Sequence, residues 1–335
     1  MFHLTAEQIE KYGAVHTTKE IHQQPAVWRK LFDQMSKQLE HYQKFIKSIN
    51  DKHRSVRVIF SGAGTSAFIG NILVPVLTKH VDGMSFEAIA TTDIVSNPTS
   101  YFVKDEPTIL VSFARSGNSP ESVATVELGQ KMIDDFYQVV ITCNKDGQLA
   151  KNIVGDPKSL LLLMPEESND QSLAMTSSFS TMMLSAFILF VGVSEATGVL
   201  TEEGFERVCQ SGEHLLNRLG DLTEDIISFD FNRIVYLGSG PLGALGHEAS
   251  LKMLELTAGK VIPMYESSLG FRHGPKSILN DESLVVFFMS QDSYTRKYDF
   301  DMLKELAAAD SKMKIIALTE HADQALEELV EWLIP

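Results

Sequence analysis

The apolar positions of the chain form short β-branched runs separated by longer stretches of helical spacing. Val56–Phe60, Thr108–Phe113, Gln138–Thr142 and Ser159–Leu163 predict buried strands. The pattern returns at Arg233–Leu237, Lys260–Met264, Leu284–Met289 and Lys314–Leu318. Strands alternating with helices predict a parallel sheet covered on both faces, and the repetition predicts two such units. Between them Ser172–Ser228 reads as one long helical section, with the domain boundary near residue 200. Residues 1–50 read as a peripheral helical segment. In it Pro25 opens a helix through Trp28, Leu31, Phe32, Met35 and Leu39, and the polar stretch His16–Gln24 is its approach. The resulting division is 1–50, 51–200 and 201–335. The longest apolar run, Phe179–Val193, is broken by polar residues and too short for a membrane span, so it reads as a buried helix. Leu329–Ile334 reads as a last strand or a helix tail. A doubly wound domain would go on to a covering helix, so the end at Pro335 reads as a truncation.

Composition narrows the function classes. A chain of 335 residues with 44% hydrophobic and 22% charged residues can build full cores without staples. The net charge of −15 argues against nucleic acid as the main partner, because a phosphate backbone needs a basic footprint. The two cysteines, Cys143 and Cys209, stand far apart and predict neither disulfide nor zinc site, which makes a reducing, cytoplasmic compartment the expectation. The first residues lack the apolar core of a signal peptide.

Three stretches carry candidate chemistry. Ser61-Gly62-Ala63-Gly64-Thr65-Ser66 and Arg115-Ser116-Gly117-Asn118-Ser119 each leave a predicted strand and enter a helix. Helix N-termini offer free backbone N–H groups, and hydroxyls add neutral donors, so two such turns could close on one phosphate. The alternative for each turn is simple helix capping by Ser or Asn. Neither turn matches a dinucleotide or P-loop fingerprint. The third stretch, Gly246–Lys276, places Glu248, Lys252 and Glu255 on one helix face at i, i+4 and i+7, with Leu251, Leu254 and Ala258 as a nearby apolar stripe, and then presents Arg272-His273-Gly274-Pro275. Its alternative is a solvated face with a Glu–Lys pair. His3, His22, His41, His53, His80, His214 and His321 read as surface or packing residues, and His247, next to Glu248 in sequence, points off that face. No ligand spacing calls for a metal, and no organic cofactor is required.

Taken in order, these strings resemble a tandem sugar-isomerase-domain protein. The anchors are Lys19-Glu20-Ile21, Gln23-Gln24-Pro25, Gly64-Thr65-Ser66, Ser116-Gly117-Asn118-Ser119, the Glu248/Lys252/Glu255 face and His273-Gly274-Pro275. The pattern is similar to the isomerase half of glucosamine-6-phosphate synthase. It is closer to the bacterial tagatose-6-phosphate ketose/aldose isomerase family, understood as galactosamine-6-phosphate deaminases. Gly13–Thr17 and Ala174–Phe179 point to that branch.

The resemblance implies an α/β fold of two doubly wound domains, each a parallel five-stranded sheet flanked by helices in an α-β-α sandwich. It implies that Ser66, Ser116 and Ser119, with Gly64, Thr65 and Asn118 beside them, hold a 6-phosphate. Thr176 and Ser177 fall near a substrate-contacting loop. Glu255 matches the base that moves a proton between C1 and C2, and His273 the acid/base that opens the ring, supplied by a neighbouring subunit. Glu248 and Lys252 match supporting positions, and Lys252 either stabilises an oxyanion or pairs with Glu248. Arg115 stands where the synthase has a neutral amide, and either pairs with the phosphate or salt-bridges elsewhere. The synthase's substrate-contacting tail lysine has no counterpart in this sequence. No amidotransferase domain and no cysteine nucleophile after Met1 are read in it either, and that second departure makes release of ammonia the expectation rather than capture. The implied partners are a phosphorylated amino sugar or ketose and a second copy of the chain, in a homodimer or higher oligomer with shared sites, with no nucleic acid and no membrane. The implied setting is carbohydrate metabolism, the catabolism of N-acetylgalactosamine. Alternatives are an aldose/ketose phosphosugar isomerase without deamination, or a phosphosugar-binding regulatory protein.

Overall fold

The computed structural model describes residues 3–321 and 324–335. Met1 and Phe2, the first of the expected helical segment, and Ala322 and Asp323 lie outside them. The structure divides into two compact units, one ending at Asp221 and one beginning at Leu222.

The first unit opens with α1 (Ala6–Lys11), α2 (Val15–His22) and α3 (Gln24–Lys52). Pro25 stands in the first turn of α3, where its missing N–H costs nothing. This segment is not peripheral: Pro25, Val27, Leu31, Met35, Ile46 and Ile49 form a buried stripe against a later helix, α8. Then follow β1 (Val56–Ser61), α4 (Thr65–His80), β2 (Met84–Ala88), α5 (Thr91–Ser96), β3 (Thr108–Ala114), α6 (Pro120–Met132), β4 (Phe136–Thr142), α7 (Gln148–Asn152), β5 (Ser159–Leu163) and α8 (Ser177–Val191). The expected single helical section is two helices. Gly192, at φ +74, ends α8, and α9 (Glu202–Ile227) starts ten residues later.

The five strands are parallel in the order β2-β1-β3-β4-β5. Every residue of β1, β3 and β4 is buried, which is why they read as continuous apolar runs rather than alternating ones. The edge strand β2 carries Ser85 and Glu87 between apolar residues, too weak a signal to be read ahead of the structure. The one charge inside β1, Arg57, is buried and meets Glu87 of β2 at 2.7 Å.

The second unit holds β6 (Arg233–Gly238), α10 (Pro241–Thr257), β7 (Ile262–Glu266), β8 (Ser283–Phe288), α11 (Thr295–Ala307), β9 (Lys314–Leu318), α12 (Gln324–Glu327) and β10 (Trp332–Ile334). Its sheet order, β7-β6-β8-β9-β10, repeats that of the first unit, again all parallel. Leu329–Ile334, open between two readings, ends in the strand β10. The core gathers Val235, Leu237, Val285, Phe287, Met302, Leu303 and Leu306, with Phe271 fully buried among them. Two doubly wound parallel sheets are thus the architecture. Among the described residues no helix is long and apolar enough to cross a membrane.

Candidate active site

In each sheet the first and third strands of the unit are neighbours, and their crossover helices lead away to opposite sides. Ligands of doubly wound sheets bind at this switch point, outside the carboxyl ends of the strands. In the first unit the two hydroxyl-bearing turns follow β1 and β3, which pair from Arg57↔Thr108 to Ser61↔Ser112. They therefore leave adjacent strands at the same end.

The first turn caps α4 with Gly64 at φ +56, ψ −130, a conformation a Cβ would strain. The N–H groups of Ser66 and Ala67 close tight turns onto the carbonyls of Ala63 (3.2 Å) and Gly64 (2.9 Å). The expectation of free backbone donors is corrected to that extent. The hydroxyls of Thr65 and Ser66 become the turn's distinguishing chemistry; both residues are buried. Ser66 Oγ points at Met175 Sδ, 3.8 Å away, a weak acceptor that a better one could replace.

In the second turn Ser116 and Asn118 are exposed, while Arg115 and Ser119 are half-buried. Ser119 occupies the N-cap position of α6, yet its hydroxyl makes no capping bond; it donates to Ser122 Oγ at 2.6 Å. Capping alone therefore does not explain this serine. Asn118 turns its carbonyl oxygen towards α7, accepting from Gln148 N–H at 2.9 Å. Arg115 Nη1 donates to the carbonyl of Ser172 at 3.1 Å, a neutral acceptor that does not cancel the guanidinium charge.

The segment from Asp170 to Ser178 touches both turns, through Met175 and Ser172, and two buried carboxyl groups hold it. Asp170 sits at the N-terminus of α8. It accepts from the N–H groups of Thr176 (2.8 Å), Ser177 (3.2 Å) and Ser178 (2.9 Å), and from Ser178 Oγ at 2.5 Å. An acid suits this place because three otherwise orphaned donors and the positive end of the helix dipole face it. Glu20 of α2 accepts from the N–H groups of Gln171 (2.5 Å) and Ser172 (3.3 Å). Ser177 Oγ in turn donates to the Glu20 carbonyl at 2.7 Å and accepts from Gln23 Nε2 at 3.1 Å. The polar stretch His16–Gln24 is accordingly no mere approach to a helix; it anchors a loop some 150 residues later. The sequence signal available was the density of Glu and Gln before Pro25. Ser177 is fully buried with its hydroxyl engaged in this network, whereas Thr176 is half-buried, its Oγ1 3.2 Å from Asp170.

In the second unit α10 packs against β6 and β7. The spacing of its three charges works as expected: Lys252 Nζ lies 2.7 Å from Glu255 Oε2 and 3.4 Å from Glu248 Oε1. Glu248 is only 4% exposed, and Lys252 and Glu255 are partly covered. Lys252 thus pairs with both carboxyl groups, the tighter contact being to Glu255. The apolar stripe differs from expectation. Leu254 is 47% exposed, and Ala258, at φ +50, ends the helix in the left-handed region. The adjacent His247 stacks on Tyr265 with ring centroids 3.8 Å apart, and burial pushes its pKa below the usual imidazole value. His273 follows β7 on a separate segment and is exposed. Its backbone N–H donates to the Gly270 carbonyl at 2.9 Å.

Among the described residues no group of three or more His, Cys, Asp and Glu side chains could hold a metal ion. A cavity of about 560 Å³ beside Leu306, Met313, Ile315 and Leu329 opens at the amino end of β9, away from the switch-point turns.

The SIS-domain model matches residues 52–192 and 229–331, one copy over each sheet. The D-galactosamine-6-phosphate deaminase AgaS of Escherichia coli is 43% identical over 303 residues, 90% of this chain and 77% of the relative. A solved structure of a candidate tagatose-6-phosphate ketose/aldose isomerase from Clostridium novyi superposes with a TM-score of 0.95 at 42% identity, covering 100% of this chain and 84% of that one. The tagatose-6-phosphate ketose/aldose isomerase of Escherichia coli gives 0.88 at 40% identity, covering 95% and 85%. The chain belongs to the SIS-domain family, and within it to the group of the AgaS proteins.

Proposed function

We propose that the protein is an amino-sugar-phosphate deaminase that converts D-galactosamine 6-phosphate and water to tagatose 6-phosphate and ammonia. The observation that carries this reading is the Glu248–Lys252–Glu255 cluster. The cluster sets a partly covered carboxylate, a proton acceptor, beside an ammonium 2.7 Å away that can offset developing negative charge, a combination that a protein that only binds a sugar does not need. The names of the relatives at 40–43% identity supply the substrate.

In this reading Ser66, Ser116 and Ser119, with Gly64, Thr65, Asn118 and Thr176 around them, receive the phosphate, and Arg115 adds charge to the second turn. Ser177 contributes by fixing the loop. The phosphate lies far from the reacting carbons, so its binding energy serves to position them. His273 opens the pyranose ring, giving a proton to the ring oxygen as one leaves the C1 hydroxyl. Glu255 takes the C2 proton of the open-chain aldehyde, giving an enolamine. Protonation at C1 yields a C2 imine, and water hydrolyses it to the ketone and ammonia. Lys252 steadies negative charge as it develops on the C1 oxygen, and Glu248 holds Lys252 in place. His273 comes from a second copy of the chain, in a homodimer or larger assembly with shared sites. The setting is the cytoplasm, in keeping with two buried free thiols.

The second reading is aldose/ketose isomerisation without loss of nitrogen, favoured by the name of the Escherichia coli structure. Incubation with galactosamine 6-phosphate, glucosamine 6-phosphate and tagatose 6-phosphate, with ammonia and ketose both measured, separates the two. Ammonia from galactosamine 6-phosphate supports the deaminase. Interconversion of neutral sugar phosphates with no ammonia supports the isomerase, and binding without turnover defeats both.

A further inference from the structure

α11 sits beside the segment that carries His273, and the side chains joining them differ greatly in burial. Asp299, 0% exposed, accepts from Ser239 Oγ at 2.5 Å, from Ser268 Oγ at 2.6 Å and from the N–H of Ser290 at 3.0 Å. These three donors stand just past the carboxyl ends of β6, β7 and β8, which are neighbours in the sheet. One carboxyl group therefore laces together the ends of three strands, including the one from which the His273 segment departs.

The rest of that segment is held from the same helix. Phe271 is fully buried in the core of the second unit. Arg272 pairs with Asp301 at 2.8 Å and Glu305 at 2.7 Å, and Lys276 with Glu305 at 2.7 Å. Asp301 and Glu305 are 63% and 39% exposed, so solvent screens each of these pairs and each contributes little on its own. A buried carboxyl group with three donors contributes more, because two of the residues that donate to it, Ser268 and Ser290, are themselves buried, where a lost hydrogen bond is costly. Of the two kinds of tie, the Asp299 cluster dominates.

We infer that Asp299 is a positioning residue for His273: by holding Ser268 at the exit of β7 it sets where the histidine five residues later stands. The inference rests on the proposed role of His273 in ring opening. A proton donor displaced by about 1 Å forfeits much of its effect while substrate affinity, set elsewhere, survives.

The test is a cycle of Asp299→Asn, His273→Ala and the double variant, with kcat, KM and the pH profile of kcat measured from ammonia release and folding checked by thermal unfolding. Asp299→Asn is expected to lower kcat about tenfold, to leave KM within about twofold and to move the pH limb that His273→Ala abolishes. In the His273→Ala background it is expected to change kcat by less than about twofold. Multiplying losses in the double variant, or an unchanged kcat in a folded Asp299→Asn protein, would overturn the inference while leaving the deaminase reading intact. Full activity of His273→Ala would remove the histidine's role and the inference with it. Should Asp299→Asn not fold, Ser268→Ala removes one donor only; it is expected to lower kcat about threefold with the same non-additivity, and an unchanged kcat there counts against the inference.

Discussion

The turns after β1 and β6 have the same backbone and different chemistry. Gly64 caps α4 at φ +56, ψ −130, and Gly240 caps α10 at φ +60, ψ −127. The tight bonds match as well: Ser66 N–H to the Ala63 carbonyl at 3.2 Å, and Leu242 N–H to the Ser239 carbonyl at 3.3 Å. After the glycine, however, the first unit places Thr65 and Ser66, while the second places Pro241 and Leu242. Proline removes a backbone donor and leucine removes a hydroxyl. The hydroxyl the second turn retains, on Ser239, is bonded to Asp299. One fold thus sets the turn geometry twice, and the side chains differ: the first copy follows its glycine with two hydroxyls, which the proposed phosphate site uses, and the second does not. The second copy carries the Glu248–Lys252–Glu255 cluster instead, on the helix that its turn begins, and the proposed acid–base role falls there.

The largest expected effect tests that second half. Glu255→Gln keeps shape and removes basicity, so kcat is expected to fall about 10³-fold with KM changed only a few-fold. Steady-state ammonia release measures it, and a kcat within tenfold of the parent would strip Glu255 of its role. Next comes a graft that makes the first turn resemble the second. Thr65→Pro with Ser66→Ala is expected to raise KM about 100-fold and to leave unfolding temperature nearly unchanged, because proline suits the first turn of a helix. The reverse graft, Pro241→Thr, is expected to leave KM where it is. Should both grafts shift KM equally, the division of labour between the turns is wrong.

A third test addresses the loop that touches both turns of the first unit. Asp170→Asn turns an amide N–H₂ towards donors that now meet carboxyl oxygens. Urea unfolding is expected to show a loss of about 2 kcal/mol. KM is expected to rise as well, since the loop carries Ser172 against Arg115 and Met175 against Ser66. Lost stability with unchanged KM would separate the loop from binding.

The same contrast explains what was legible in the chain. Buried parallel strands announce themselves as apolar runs, so β1, β3, β4 and β5 are readable, as are β6, β7, β8 and β9 and the one-faced spacing of Glu248, Lys252 and Glu255; β10 stays open between two readings. The candidate turns were visible as glycine and hydroxyl clusters. What escaped notice depends on partners distant in sequence. Glu20 looks like a surface residue until Gln171 and Ser172 are brought to it, and Asp170 and Asp299 are unremarkable until their donors converge. The exposure of Leu254 was also hidden, because helical periodicity reveals a face without saying whether anything covers it. The break between α8 and α9 turns on Gly192, and one glycine within a helical pattern does not by itself announce the left-handed φ of +74 that ends α8.

The smallest effect distinguishes the first strand of each sheet, β1 and β6, by their arginines. Arg57 Nε meets Glu87 Oε1 at 2.7 Å, and Glu106 lies 3.7 Å from the same guanidinium, whereas Arg233 donates to the Ile278 carbonyl. The bond from Arg57 holds the Glu87 carboxyl below its ordinary value of 4.5. A depressed folded-state pKa means stability that is fully present above the unfolded value and lost as pH falls through the folded one. Glu87 is 45% exposed, so solvent screens the pair and Glu87→Gln is expected to cost about 1 kcal/mol at pH 7. The gap between parent and variant should narrow as pH drops below about 4.5, since the parent then loses what the variant already lacks. Urea unfolding at pH 7, 4.5 and 3.5 reads this directly, and a gap that is constant or widens towards acid would mean that the pair does not anchor the first sheet through its charge.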